Sequence, residues 1–202
     1  MPRPSNTELR REQITQALVK VMARRGYDGA SVGDIAKAAR LTPGLVHYHF
    51  KDKQEILLEA VRALAARHEA KLDGRLAAAS GDPAAEVEAF IDLHLGLGAD
   101  ADPEALACWV LLSGEALREP KVRVAFAGVL ERLAERLAGA IRRGVDSGAF
   151  ACGRAEVEAS ASALVATIEG YYVLAATARD LIPKGSAAAS TKRMARGLLG
   201  HA

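Results

Sequence analysis

Apolar residues Ile14, Ala17, Leu18, Val21 and Met22 recur at i, i+3, i+4, i+7 and i+8, which predicts an amphipathic helix over residues 7–25 with one buried stripe. Gly26 and Asp28-Gly29 end it. Ser31, with Asp34 three residues on in place of the usual Glu, predicts a capping box on a short helix whose buried side is Val32, Ile35, Ala36 and Ala39. Arg40-Leu41-Thr42 then leaves room only for a tight turn. Thr42-Pro43 reads as the next helix start, because Thr caps free backbone N–H groups and Pro suits the first turn, where its missing N–H is no loss. Two short helices joined so closely predict a helix-turn-helix. Lys51-Asp52-Lys53 reads as a break and a new cap. Beyond it Ile56, Leu57, Ala60, Val61, Leu64 and Ala65 mark a long helix to about residue 79.

The remaining punctuation is regular. Asp82-Pro83 and Asp102-Pro103 each set a capping residue before a first-turn proline, and so open helices over about 84–97 and 104–117. Pro120 opens a long helix ending near 144–148. A further helix is expected over about 154–181, closed by Pro183-Lys184-Gly185, and a last one over about 188–199. The sum is an all-α chain of nine helices, with no 20–50-residue repeat. Two domains are expected: a helix-turn-helix head over 1–53 and a larger helical body over 54–202.

Composition agrees with helices. Half of the 202 residues are hydrophobic but only 4% are aromatic, and helix-forming Ala, Leu, Glu and Arg dominate. Two isolated cysteines, Cys108 and Cys152, are too few for a disulfide framework. The polar start MPRPSNTELRREQ is unlike a signal peptide, and no stretch reaches the roughly 18 uncharged apolar residues of a bilayer span. A cytoplasmic protein with no membrane partner is expected. The net charge of +2 is uninformative, but its distribution is not: residues 1–53 hold ten Lys/Arg against five Asp/Glu, and the rest of the chain is slightly acidic. That shape suits a nucleic-acid-binding head on a body with another task.

The stretch LTPGLVHYHFKDK, residues 41–53, concentrates candidate chemistry. On a helix, residues two apart point about 200° apart, so His47 and His49 cannot close on one ion, and neither cysteine is near. A metal site is therefore disfavoured. On a wheel centred on Val46, the residues Phe50, Pro43, Thr42 and His49 share its side, which leaves Gly44, Leu45, His47 and Tyr48 as the outward surface. An exposed Leu and Tyr on a short capped helix fit the second helix of a helix-turn-helix lying in a DNA major groove. Phosphates would meet the free N–H groups at the start of the Ser31 helix, including Gly33, and Lys53 near the next helix start. Arg3 is a candidate for an adjacent minor groove.

Residues 31–57, SVGDIAKAARLTPGLVHYHFKDKQEIL, resemble the DNA-binding head of the TetR family of bacterial transcriptional regulators. The family pattern of a small or hydroxyl residue, a Gly-apolar pair, an aromatic run ending His-Phe and a Lys three residues later is held by Ser31, Gly44-Leu45, Tyr48, His49-Phe50 and Lys53. One departure is His47, where the family usually has a phosphate-contacting Tyr. The resemblance implies a nine-helix subunit, a homodimer built by the last two long helices, and a small-molecule pocket between. It implies a palindromic double-stranded DNA operator, and favours a repressor released by a small hydrophobic or amphipathic effector. CWVLLSGEALREPKVRVAF (108–126) and RRGVDSGAF (142–150) resemble more loosely the BetI-like branch of the family.

Phe90, His94, Trp109, Leu112, Phe126, Glu169 and Tyr172 are the candidate pocket residues, although apolar helices more often simply pack such side chains. Glu169 stands in an otherwise uncharged run, where a buried carboxylate needs a partner. Ser160, Ala163, Leu164, Thr167, Ile168, Tyr171 and Tyr172 form the stripe expected to seal the dimer. No H-E-x-x-H, paired E-x-x-H or Gly-rich phosphate loop is present, so neither catalytic residues nor a cofactor is expected. The rival readings are an architectural DNA-binding protein without an effector and, more distantly, an all-α enzyme.

Overall fold

A computed structural model describes residues 5–79, 81–96 and 102–200. Arg3, expected at a minor groove, lies outside them. The described residues form nine α-helices and no strand: α1 (Asn6–Arg25), α2 (Val32–Ala38), α3 (Pro43–His49), α4 (Lys53–Ala78), α5 (Pro83–Leu95), α6 (Pro103–Arg118), α7 (Pro120–Ser147), α8 (Val157–Thr177) and α9 (Ser186–Leu199). The caps follow the sequence. Ser31 and Asp34 make the reciprocal box, Thr42 accepts from the Leu45 N–H, and Asp52 accepts from the Glu55 N–H at 2.8 Å. Asp82 and Asp102 accept from the Ala84 and Ala105 N–H groups, both at 2.9 Å.

The chain divides into two compact units, residues 1–67 with 102–127 and residues 68–101 with 128–202. In the first unit α1 packs on α2, α3 and α6. Ile14, Leu18 and Met22 from α1, Ile35, Val46, Phe50, Ile56 and Leu57, and Cys108 and Leu112 from α6 are all buried. Burial pushes the Cys108 thiol up to about 12. Val21, Val32 and Leu64, expected in the buried stripes, are only half-buried. Thr15 is buried beside that α1 stripe, and its hydroxyl has no partner among the described residues.

In the second unit α5 packs on α8 and α9, and α8 on α9. Phe90 and Ile91 of α5, Leu164 and Ile168 of α8, and Ala195 and Leu199 of α9 are buried. Phe150 folds back onto α7 at Gly144, where an added Cβ would overlap its ring. Buried Glu86 is held by an ion pair to Arg143.

The expected continuous helix over 154–181 is not continuous. A 3-10 turn (Arg154–Glu156) precedes α8 and another (Arg179–Leu181) follows it. The break falls at Ala178, with φ −148° and ψ 50°. Before Pro183 no Gly or Pro marks that point, so local sequence carries no stop signal. The expected dimer stripe is also reapportioned. Ser160, Leu164 and Ile168 turn inward and are buried within the subunit, while Ala159, Ala163, Ala166, Gly170 and Val173 lie on the exposed face. Within residues 154–177 one 18-residue window reaches a mean hydropathy of 1.2, enough to cross a bilayer by length and composition alone, but the segment holds Glu169, Ser160, Ser162 and Thr167 and is no run of uncharged apolar residues.

Candidate nucleic-acid interface

The two short helices are joined by a turn whose hydrogen bonds explain its shape. The Arg40 N–H donates to the Lys37 carbonyl at 3.1 Å and the Leu41 N–H to the Ala36 carbonyl at 2.9 Å. This pair of bonds is a Schellman closure, which requires a left-handed residue just beyond the helix. Here that residue is Arg40, with φ 54°, among the described residues the one non-glycine with positive φ. A side chain in that region costs about 1 kcal/mol. Arg40→Gly is therefore expected to raise unfolding stability by about 0.5–1 kcal/mol, since glycine carries no Cβ penalty but loses more freedom on folding. Thermal unfolding measures it, and an unchanged or lowered midpoint counts against strain at this turn.

Val46 of α3 and Phe50, its C-cap, anchor the helix at 1% and 2% exposure. The opposite side presents Gly44 and His47 to solvent and Tyr48 at 79% exposure, with its ring edge-on to His49 at 5.0 Å. Thr42 and Pro43 are exposed at the helix start, while Leu45 and His49 are half-buried. Ser31 and Gly33 are exposed at the start of α2, and a Cβ on Gly33 would meet nothing closer than the Ser31 hydroxyl at 3.6 Å. Lys37, Arg40 and Lys51 are exposed around this surface, with no ion pair to their side chains among the described residues. The side chain of Asp34, the acidic residue nearest Lys37 and Arg40 in sequence, is instead bound by Ser31 and by Arg25 at 2.9 Å. The capping hydroxyl holds its carboxyl below the ordinary carboxylate range.

Lys53 has an internal task that sequence reading did not show. Its Nζ donates to the Tyr27 carbonyl at 2.8 Å and lies 4.1 Å from the centre of the Tyr27 ring. One of three ammonium N–H groups is thereby used, and the rest stay available to an anion. Burial, and then the charges of Glu115 and Glu119, push the Tyr27 hydroxyl up to about 12. Arg11 is another contributor with no signal in the local pattern: from α1 its guanidinium reaches the end of α3.

The seven residues expected at a pocket fall into two groups. In the second unit, the His94 ring stacks on Phe90 at 4.3 Å and faces Tyr172 at 6.5 Å. Its Nδ1 donates to the Phe90 carbonyl at 2.7 Å, because a carbonyl can only accept. The His94 Nε2 is then the acceptor for the Nε2–H of His68, 2.7 Å away, a partner that spacing in sequence did not suggest. Burial, and then the charge of Glu169, raise the pKa of Tyr172 well above the phenol range. In the first unit, Trp109 and Phe126 lie 4.5 Å apart and Leu112 is fully buried.

Comparison with known proteins agrees with this architecture. Residues 14–60 match the family described as bacterial regulatory proteins, tetR family, and residues 83–200 match the BetI-type transcriptional repressor C-terminal family. The HTH-type transcriptional regulator BetI of Rhizobium meliloti (strain 1021) is 27% identical over 175 residues, covering 86% of this chain and 81% of its own. BetI of Paraburkholderia phymatum is 25% identical over 180 residues, covering 89% and 88%. A transcriptional regulator of Saccharomonospora viridis, solved in complex with choline, superposes with a TM-score of 0.76 at 23% identity over 96% of this chain and 97% of that one. A TetR transcription regulator from Haloarcula marismortui superposes at 0.81 with 19% identity, over 95% and 97%. The helix-turn-helix with its exposed α3 face is thus a DNA-binding head, and the chain belongs to the TetR family of bacterial transcriptional regulators, with a C-terminal region of BetI type.

Proposed function

We propose that this protein is a homodimeric, cytoplasmic repressor that reads a palindromic operator with α3 and leaves it when a small amphipathic effector binds the body. The observation that carries the DNA part is the α3 surface: a helix anchored by Val46 and Phe50 that turns Gly44, His47 and a 79% exposed Tyr48 outward beside unpaired cations. Ser31, Gly33, Thr42, Pro43, His49 and Lys53 complete the proposed contact set. Residues 43–49 contain no Arg, Asn or Gln, the side chains that bond bidentately to guanine or adenine. Sequence is then read by apolar contact of Leu45 with thymine methyl groups, by Thr42 and Tyr48 hydroxyls and by DNA shape.

Binding-site selection at fixed salt tests this reading. Leu45→Ala is expected to relax preference at one or two T·A pairs per half-site, by about 1–3 kcal/mol each. Lys53→Ala is expected to weaken all sequences alike, to reduce the salt slope by about one unit, and to lower stability because the Tyr27 carbonyl loses its donor. If Leu45→Ala leaves the selected motif intact while Lys53→Ala changes it, the roles of reader and anchor are reversed.

The dimer is proposed to form through the exposed faces of α8 and α9. Ala159, Ala163, Ala166 and Gly170 let a partner helix approach closely, and Val173, Met194 and Leu198 leave apolar surface in water, with exposures of 45%, 51% and 43%. A two-fold dimer presents two recognition helices and so selects a palindrome.

The effector is proposed to meet the Phe90, His94, Glu169 and Tyr172 group, and Trp109, Leu112 and Phe126 are proposed as effector contacts in their own right. Aromatic faces with a carboxylate suit an organic cation, and the Saccharomonospora viridis neighbour holds choline. Trp109 is the chain's one tryptophan. Choline is therefore expected to change its fluorescence saturably and to lower operator affinity. A tenfold release needs about 1.4 kcal/mol of difference in effector affinity between the two states. Saturable binding without any loss of operator affinity would refute induction by this route.

A further inference from the structure

Two polar side chains of α1 each close one helix of the helix-turn-helix. Gln13 Nε2 donates to the carbonyl of Ala39, the C-cap of α2, at 2.6 Å. Two residues earlier, on a different side of the helix, the Arg11 Nη1 donates to the carbonyl of His49, the last residue of α3. Carbonyls at a helix C-terminus have no partner within the helix and carry its negative pole, so a guanidinium there satisfies an orphan acceptor and opposes the dipole. Arg11 does more than cap. Its Cζ lies 4.0 Å from the centre of the Phe50 ring, the residue that anchors α3 in the core. Its Nη2 pairs with Glu55 at 3.2 Å and Glu59 at 3.7 Å, both on α4. Glu55 is fixed in turn, since its other oxygen accepts the Lys51 N–H at 2.8 Å and its backbone is capped by Asp52.

One planar side chain, 29% exposed, thus ties the end of α3 to the first turns of α4. Lysine cannot replace it, because an ammonium lacks the fork that meets a carbonyl, a ring face and two carboxylates at once. Pro43 and Thr42 fix how α3 starts, and among the described residues no other hydrogen bond or ion pair from α1 reaches its end. We propose that Arg11 is a positioning residue for operator recognition, which sets the tilt of the recognition helix and passes movements of α4 to it without touching DNA. This rests on the reading of α3 as the DNA reader.

The experiment uses the full chain and measures affinity for the selected operator and for random duplex across a salt series, with Arg11→Gln, Arg11→Lys and the Glu55→Gln/Glu59→Gln pair. A misplaced reading helix loses base contacts but keeps its phosphate charges. Arg11→Gln is therefore expected to weaken operator binding about tenfold or more, the scale of a lost charged hydrogen bond, while random-duplex affinity and the salt slope stay at wild-type values. The specificity ratio falls by the same factor. Arg11→Lys is expected to rescue only part of it. The Glu55→Gln/Glu59→Gln pair is expected to lower the ratio in the same direction, and it decides the matter alone if Arg11→Gln does not fold. A salt slope reduced by about one with equal loss on both duplexes would make Arg11 a phosphate contact and overturn the proposal. So would a folded Arg11→Gln, or a folded glutamine pair, with unchanged operator affinity. If the wild-type chain itself prefers no sequence, the DNA reading of α3 fails first, an outcome distinct from selective wild-type binding that Arg11→Gln leaves intact.

Discussion

Ala166→Arg is expected to split the proposed dimer and to weaken operator binding by about 10²–10⁴-fold. Ala166 lies on the exposed small-residue face of α8, between Ala163 and Gly170. Within one subunit the substitution is harmless, because the site is open to water and arginine is nearly as good a helix former as alanine. Against a partner helix packed through alanines and a glycine, the same side chain both clashes and carries an unpaired charge into an apolar contact. A monomer then binds one half-site, without the high effective concentration that the second head gives the first. Sedimentation at micromolar concentration reads the oligomeric state, and circular dichroism checks that helix content is kept. A variant that still sediments as a dimer would place the interface elsewhere.

Acid is expected to destabilise the body through a single imidazole. Burial, and then the neighbouring His68, push the pKa of His94 down to about 3 from an ordinary 6.5. Below pH 6.5 the unfolded chain takes up a proton at this residue that the folded chain refuses. The unfolded state therefore binds more protons, and stability rises with pH across this window: the contribution is complete above pH 6.5 and is lost as pH falls toward 3. The slope approaches about 1.4 kcal/mol per pH unit, and the loss between pH 6.5 and 5 is about 1.6 kcal/mol. The carboxylates of Glu8, Asp34, Glu55 and Glu158 are held below their ordinary range, first of all by hydrogen bonds to Ser5, Ser31, Lys51 and Arg142 respectively, and titrate beneath that interval. His94→Gln keeps a donor for the Phe90 carbonyl but cannot ionise, so it should flatten the slope between pH 5 and 6.5. Urea unfolding at one protein concentration measures this, because the proposed dimer would make stability depend on concentration. An equal slope in wild type and His94→Gln would mean that His94 is not the proton acceptor.

What could be read directly was whatever depends on neighbours within one turn of helix. Ser31 with Asp34, Thr42 with Pro43, Asp82 with Pro83 and Asp102 with Pro103 announce helix starts because a short polar side chain closes on N–H groups two or three residues away. The buried side of α3 followed from the same local geometry, since Val46 and Phe50 are one turn apart. The gap between Ala39 and Thr42 implied a tight turn, but not that its left-handed residue would be an arginine.

The tertiary structure decided the contacts whose partners are far apart in the chain. Arg11 meets the end of α3 38 residues later, Lys53 meets Tyr27 26 residues earlier, and His68 meets His94 at the same separation. No periodicity links such pairs; they meet because apolar faces elsewhere bring their helices together. The side that α8 turns to solvent was settled the same way. Small and apolar residues occupy most of its circumference, so the stripe expected to face a partner was not separable by periodicity from the one that faces the core, and packing on α5 and α9 buries Ser160, Leu164 and Ile168 while leaving Ala159, Ala163 and Ala166 outward. The sequence by itself determined an all-helical chain with a capped helix-turn-helix at its start, because capping and amphipathic period are local. Which charged side chains hold that reading head in place was determined only by the fold, because ion pairs form between surfaces that exist once the core has closed.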